Sequence, residues 1–150
     1  MDIWKFQRVL LQRLFIWVAI SIVLGVAFLL FRNEYWNGMA IQFLAWAAVN
    51  CVIAFFGKRG LERRFSSLSP SQREAQAAIE RAKLVRILWI NTVLDVFYIL
   101  GGYLVMLYLG RDSLLWQGMG LGIILQGGFL FFFDLIHARL AAALAIKPVS

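Results

Sequence analysis

The 150-residue chain has one cysteine, one histidine and little charge. A lone Cys51 rules out an internal disulfide framework. It falls inside an apolar run, where it reads as a small buried hydrophobe. One cysteine and one histidine cannot supply a zinc site with its usual ligand count, so no metal is expected. His137 standing alone also excludes bis-histidine haem ligation within the chain. No nucleophile with an adjacent base is visible, so no catalytic residue is assigned and no cofactor is expected.

Charged residues make up 15% of the chain and hydrophobic ones 62%. A soluble domain is typically about a quarter charged and about half apolar. This excess cannot all fit inside one soluble core of this size, and a mean hydropathy of +0.77 agrees. Lipid is the expected surroundings. The start of the chain does not read as a cleavable signal. Lys5, Arg8 and Arg13 precede an apolar stretch that runs to about Phe31, too long for a signal core, and no small-residue cleavage site closes it.

Four apolar segments stand out, at about 14–31, 39–56, 87–109 and 116–136. Each has roughly 18–23 residues, enough to cross about 30 Å of hydrocarbon as a helix. Helix is required there because backbone polar groups in lipid must be satisfied within the segment. The expected fold is all-α: one domain, 1–150, forming a bundle of four transmembrane helices. The connections at 31–39 and 109–116 are nearly charge-balanced, Arg32 against Glu34 and Arg111 against Asp112. Segment 57–86 carries Lys58, Arg59, Arg63, Arg64, Arg73, Arg81, Lys83 and Arg86. The positive-inside rule therefore predicts cytoplasmic termini and a cytoplasmic loop and helix at 57–86. Tyr35, Trp36 and Trp116 fall at the outer aromatic belt. The net charge of +7 is what topology requires. Attraction to anionic lipid headgroups follows from it, and no basic motif interleaved with aromatics supports nucleic-acid binding.

Ser69-Pro70-Ser71-Gln72 has the form of a capping box with proline in the first turn. Ala75, Ala78, Ile79, Ala82 and Val85 follow at helical spacing, and no breaker separates them from the third span. One long helix is predicted over about 70–109. The fourth span is expected to overrun through Ala138–Ala145 and stop before Pro148.

The halves resemble each other. Trp36-Asn37-Gly38-Met39-Ala40-Ile41 matches Trp116-Gln117-Gly118-Met119-Gly120-Leu121 at a shift of 80, and Gly25 matches Gly102 at a shift of 77. Two spans per unit would make two parallel hairpin repeats.

Polar residues inside spans are costly and are functional candidates by default. At about 100° per residue, Asn91, Asp95, Tyr98 and Gly102 share one stripe of the third span. Gln126, Asp134 and His137 share a face of the fourth, Gln42, Trp46 and Asn50 one of the second, and Ser21 and Gly25 one of the first. Asn50, Asn91, Asp95 and Asp134 all lie roughly 5–12 Å below the inner surface, counting about 1.5 Å per residue. A shared polar cluster of Asn50, Asn91, Asp95, Asp134 and His137 is expected. Such groups also serve as interhelical glue, each bond contributing on the order of 0.6 kcal/mol. Gly118-x-x-x-Gly122 is a spacing for close helix approach, either within the bundle or against another subunit.

The stretches 42–46, 88–95 and 120–129, together with Phe133-Asp134-Leu135-Ile136-His137, resemble a family of small bacterial four-helix membrane proteins. That family has no assigned biochemical function. The resemblance implies a bacterial cytoplasmic membrane and brings no catalytic residues. Three functions fit the sequence. The leading one is a non-enzymatic accessory, assembly or scaffold subunit of a membrane complex. The second is a homo-oligomeric carrier or channel for a proton, ion or small solute using Asp95 and Asp134, which requires a water-accessible cavity. The third is a lipid- or quinone-directed enzyme, which requires a lateral cleft beside the polar cluster.

Overall fold

The computed structural model describes residues 1–145. Among these are four helices and no strand: α1 (Ile3–Leu29), α2 (Glu34–Ser67), α3 (Pro70–Leu104, closing in a π-helical turn Val105–Leu109) and α4 (Leu114–Ala142). The starts of α1, α2 and α3 are set by short polar side chains that accept from exposed backbone N–H groups. Asp2 accepts from Lys5 N at 2.7 Å and Asn33 from Trp36 N at 3.0 Å. The Ser69–Gln72 capping box is present with Pro70 in the first turn, as its sequence predicts. The long helix over about 70–109 is also present, its last turn being π rather than α.

Each helix contains a window long and apolar enough to cross a membrane, and only 17–39% of each window is buried within the chain. The rest is bulk hydrocarbon facing outward: Val23, Phe97, Leu100, Leu107 and Phe132 are all exposed. Soluble monomers rarely expose apolar patches beyond a few hundred Å², so this surface needs an apolar solvent. Cys51, expected to be buried, is part of that outward surface. Its face of α2 turns away from every neighbouring helix.

α1 packs along α2 and α3 along α4, and the two hairpins meet through α2 and α4. The meeting point has glycine on both sides. A Cβ on Gly38 would collide with the Leu115 carbonyl oxygen and sit 2.7 Å from Met119 N. A Cβ on Gly118 would collide with the Tyr35 carbonyl oxygen and sit 3.2 Å from Met39 N. One turn further, a Cβ on Gly122 would lie 2.7 Å from Gln42 Cβ. The outer flanks use glycine likewise. Gly25 lies under Leu44 and Ala40 O, and Gly102 under Ile124 and Gly120 O. The small-residue spacing on α4 thus serves packing inside the chain.

The helices are longer than the apolar segments alone suggest. α2 continues past Phe56 to Ser67, so the first part of segment 57–86 is helix rather than loop. Leu61 and Phe65 recur on its inner face among Arg and Lys that hide the periodicity. α1 is already helical at Ile3, where Ile3, Trp4, Phe6 and Leu10 are buried with Leu61, Leu88, Ala138 and Ala141. These extensions make a folded basic end. Phe65 is sandwiched between the guanidinium groups of Arg8 (4.2 Å) and Arg73 (3.8 Å), with Trp4 edge-on at 5.8 Å. Arg8 holds Glu62 through two N–H···O contacts of 2.8 and 3.1 Å. At the other end of the chain, α4 stops at Ala142, short of the expected overrun, and Arg81 donates to Leu144 O at 2.8 Å just beyond it. Pro148, the expected stop, lies outside the described residues.

The glycine contact makes a test on a single helix. Gly118→Ala should cost on the order of 1–3 kcal/mol, the usual range for overpacking. Gly128→Ala, whose new Cβ would meet nothing within 4 Å, should be neutral. Thermal unfolding of the purified variants reads the difference. Equal midpoints would remove the Gly38–Gly118 contact from its central place.

Candidate functional site

With α2 against α4 at the centre, two grooves remain, one between α1 and α4 and one between α2 and α3. In both, the backbones approach each other little, so side chains must fill the space.

The α1–α4 groove is filled along its middle, with a smaller cavity of about 140 Å³ left at its basic end between Phe6, Arg13, His137 and Leu140. Trp17 stacks on Phe129 with ring centroids 3.5 Å apart and planes 8° from parallel. The Trp17 indole N–H donates to Gln126 Oε1 at 3.0 Å, and Gln126 Nε2 donates to Ser21 Oγ at 3.2 Å. Gln126 and Ser21 are fully buried, and each has a partner. Arg13 crosses this groove near its basic end, with Nη1 3.0 Å from His137 Nε2. Arginine only donates, so Nε2 accepts. The ring proton is then on Nδ1, which donates to Phe133 O at 2.6 Å. Both His137 nitrogens are therefore used.

The α2–α3 groove is a cleft of about 370 Å³. Trp46, Val49, Asn50 and Ile53 of α2 form one wall, and Ile87, Asn91, Leu94, Asp95 and Tyr98 of α3 form the other. Leu14 of α1 and Leu130, Phe133 and Asp134 of α4 close the back. Val49, Ile53, Ile87 and Leu94 line the cleft and are also exposed on the outside of the bundle, so the cleft opens sideways between α2 and α3. Trp46 and Tyr98 meet edge to face at its outer margin, 4.8 Å apart. Inside it, Asn50 and Asp95 are 3% and 4% exposed, yet among the described residues Asn50 Nδ2 and Asp95 Oδ2 have no hydrogen-bond partner. Leaving a buried polar atom unpaired costs about 1–3 kcal/mol.

Four of the five expected cluster residues, Asn50, Asn91, Asp95 and Asp134, line this one cleft. His137 does not: it lies behind Phe133, on the α1–α4 side. Of the secondary residues, Trp46 and Tyr98 border the cleft and Gln126 fills the opposite groove. Gln42 packs on Gly122, and Gly102 packs on Gly120. The polar residues alone do not reveal Val49 and Leu94, the side chains small enough to leave the cleft open. A signal for them was present: at the shifts of 80 and 77, Val49 stands opposite Phe129 and Leu94 opposite Trp17.

A protein-family model matches residues 13–135, from the first half of α1 to the second half of α4. The chain belongs to DUF6992, a family of unknown function. The stretch shared with DUF6992 contains all four polar residues of the cleft and leaves His137 outside. No curated protein and no solved structure matches the chain.

The two grooves predict opposite responses to loss of an amide. Gln126→Leu strands Trp17 Nε1 and Ser21 Oγ and should destabilise by about 1–3 kcal/mol. Asn50→Leu removes an unpartnered group and should be neutral or stabilising. Unfolding midpoints in detergent decide it. Equal losses in both variants would mean that Asn50 is held as firmly as Gln126.

Proposed function

We propose that this chain is a non-enzymatic bacterial inner-membrane protein whose working part is the α2–α3 cleft. There it holds the polar part of an amphipathic molecule drawn from the surrounding bilayer. The observation that carries this reading is the contrast between the two grooves. One is packed with stacked rings and closed hydrogen bonds, while the other is open, polar and incompletely bonded. Small-molecule sites are characteristically apolar concavities with a few convergent polar groups, and the cleft has that composition. Among the described residues its walls offer two amides and two carboxylates but no cysteine, lysine or serine to act as a nucleophile, which favours holding over chemistry.

Five glycines that could have served a partner subunit, Gly38, Gly102, Gly118, Gly120 and Gly122, are occupied within the chain, whereas a Cβ on Gly101 or Gly128 would meet nothing within 4 Å. We take the cleft, rather than a helix-packing face, as what the protein offers other molecules. An accessory role in a larger complex remains compatible with this, the bound molecule being what the chain contributes.

The reading includes two further elements. The basic end, with Lys58, Arg59, Arg63, Arg64 and Lys83, faces the cytoplasm together with both termini, as the charge distribution requires. The hairpins are parallel repeats related by an axis along the bundle. Reciprocal contacts support this: Gly38 on Leu115 and Met119 against Gly118 on Tyr35 and Met39, and Gly25 under Leu44 against Gly102 under Ile124. Under that relation one groove has kept its filling and the other has lost it.

The test is to restore the filling. The double change Val49→Phe and Leu94→Trp gives the cleft the residues of its counterpart. Native mass spectrometry of gently solubilised protein should show a bound lipid-like species on the wild type. The double variant should lose it while keeping its unfolding midpoint. An unchanged adduct on a folded variant would place binding elsewhere and overturn the proposal.

A further inference from the structure

The charges around the cleft do not balance. Asp95 and Asp134 line it, and among the described residues no lysine, arginine or histidine does. Three bases towards its basic end have other partners. Arg13 is bonded to His137. Arg64 and Lys83 lie 3.5 and 3.8 Å from the buried carboxylate of Glu80, which also receives Gln7. A buried carboxylate without a countercharge is costly, and the natural remedy is a positive partner or a proton. An anionic headgroup would be repelled by either acid in its ionised form.

The remaining features narrow the kind of positive partner. The mouth is apolar, formed by Val49, Ile53, Ile87 and Leu94. Trp46 and Tyr98 supply aromatic surface beside it, which attracts cations as well as apolar groups. Among the described residues no group of three or more acids, histidines or cysteines is placed to hold a metal ion. An organic cation with an apolar body suits this lining better than a bare ion. Asn50 supplies a second, independent indication of a ligand: it is 3% exposed, lines the cleft, and has an amide nitrogen without a partner.

We infer that the cleft takes a lipophilic cation, such as a hydrophobic amine or quaternary ammonium. Its charge lies beside Asp95 and Asp134 and its apolar part against Trp46, Tyr98 and the mouth. The inference rests on the reading of the cleft as a binding site and specifies the ligand's class. Asn50 and Asn91 complete the polar lining and favour ligands that also carry a hydroxyl or carbonyl near the charge.

Tetraphenylphosphonium and tetraphenylborate, ions of the same shape and opposite charge, make the test. Equilibrium dialysis against the full-length protein in a non-ionic detergent should give one phosphonium per chain. Borate should bind weaker on the order of tenfold or more, as should phosphonium to Asp95→Asn. Asp134→Asn serves equally if Asp95→Asn does not fold. Val49→Phe with Leu94→Trp should abolish binding of both ions. If both ions bind the wild type alike and the filled variant loses both, the cleft stands as a site and the cationic assignment falls. If phosphonium binds the filled variant as well as the wild type, or does not bind the wild type at all, the assignment falls too. The native mass-spectrometric adduct then judges the cleft by itself.

Discussion

The backbones of α2 and α4 touch where Gly38 faces Leu115 and Gly118 faces Tyr35, and the placement of every other helix follows from that contact. Any larger residue would push the hairpins apart. In lipid, helices gain little from burying apolar side chains against one another, because the tails are equally apolar. Association then depends on close van der Waals approach, which small residues permit. Once α2 and α4 occupy the centre, α1 and α3 can only flank them. Each flank leaves a groove whose contents the sequence must supply.

The two grooves show how differently that can be done. Trp17 and Phe129 fill one with ring against ring, and Gln126 closes its polar groups in a chain from indole to hydroxyl. The other is lined by Leu94 and Val49 and collects amides and carboxylates whose bonding is incomplete. Stability alone would favour the first solution twice. A protein that keeps the second accepts a standing energetic cost at that one place, the usual mark of a site rather than of scaffolding.

Much of this was legible beforehand, and the failures have physical causes. Hydropathy located four helices because lipid imposes a length and forbids charge. The capping box at Ser69 and the unbroken pattern after it located the start of α3. Helical periodicity put Asn91, Asp95 and Tyr98 on one face, and depth counting put Asn50 and Asp134 level with them. Periodicity cannot say which neighbour a face meets, and that is why it groups His137 with the cleft residues although His137 does not line the cleft. It shares a face with Gln126, and both turn towards α1, where Arg13 and Trp17 receive them. The basic extensions were read only in part. Arg59, Arg63 and Arg64 dominate the composition there, while Leu61 and Phe65, the residues that pack, are few.

The walls of the cleft, α2 and α3, are consecutive helices joined through Leu68 and Ser69 alone. At that joint Phe65 is held between Arg8 and Arg73, and Arg73 also bonds to the Phe65 carbonyl at 2.9 Å. The two helices are therefore fastened at their basic ends like the arms of a pair of tongs, and the opening between them lies along their length. A molecule approaching from the aqueous side meets the fastening, whereas one already dissolved in the bilayer meets the opening. Occupancy would then follow how strongly a compound partitions into the membrane, and a very dilute aqueous solute could still fill the cleft if lipid concentrates it first.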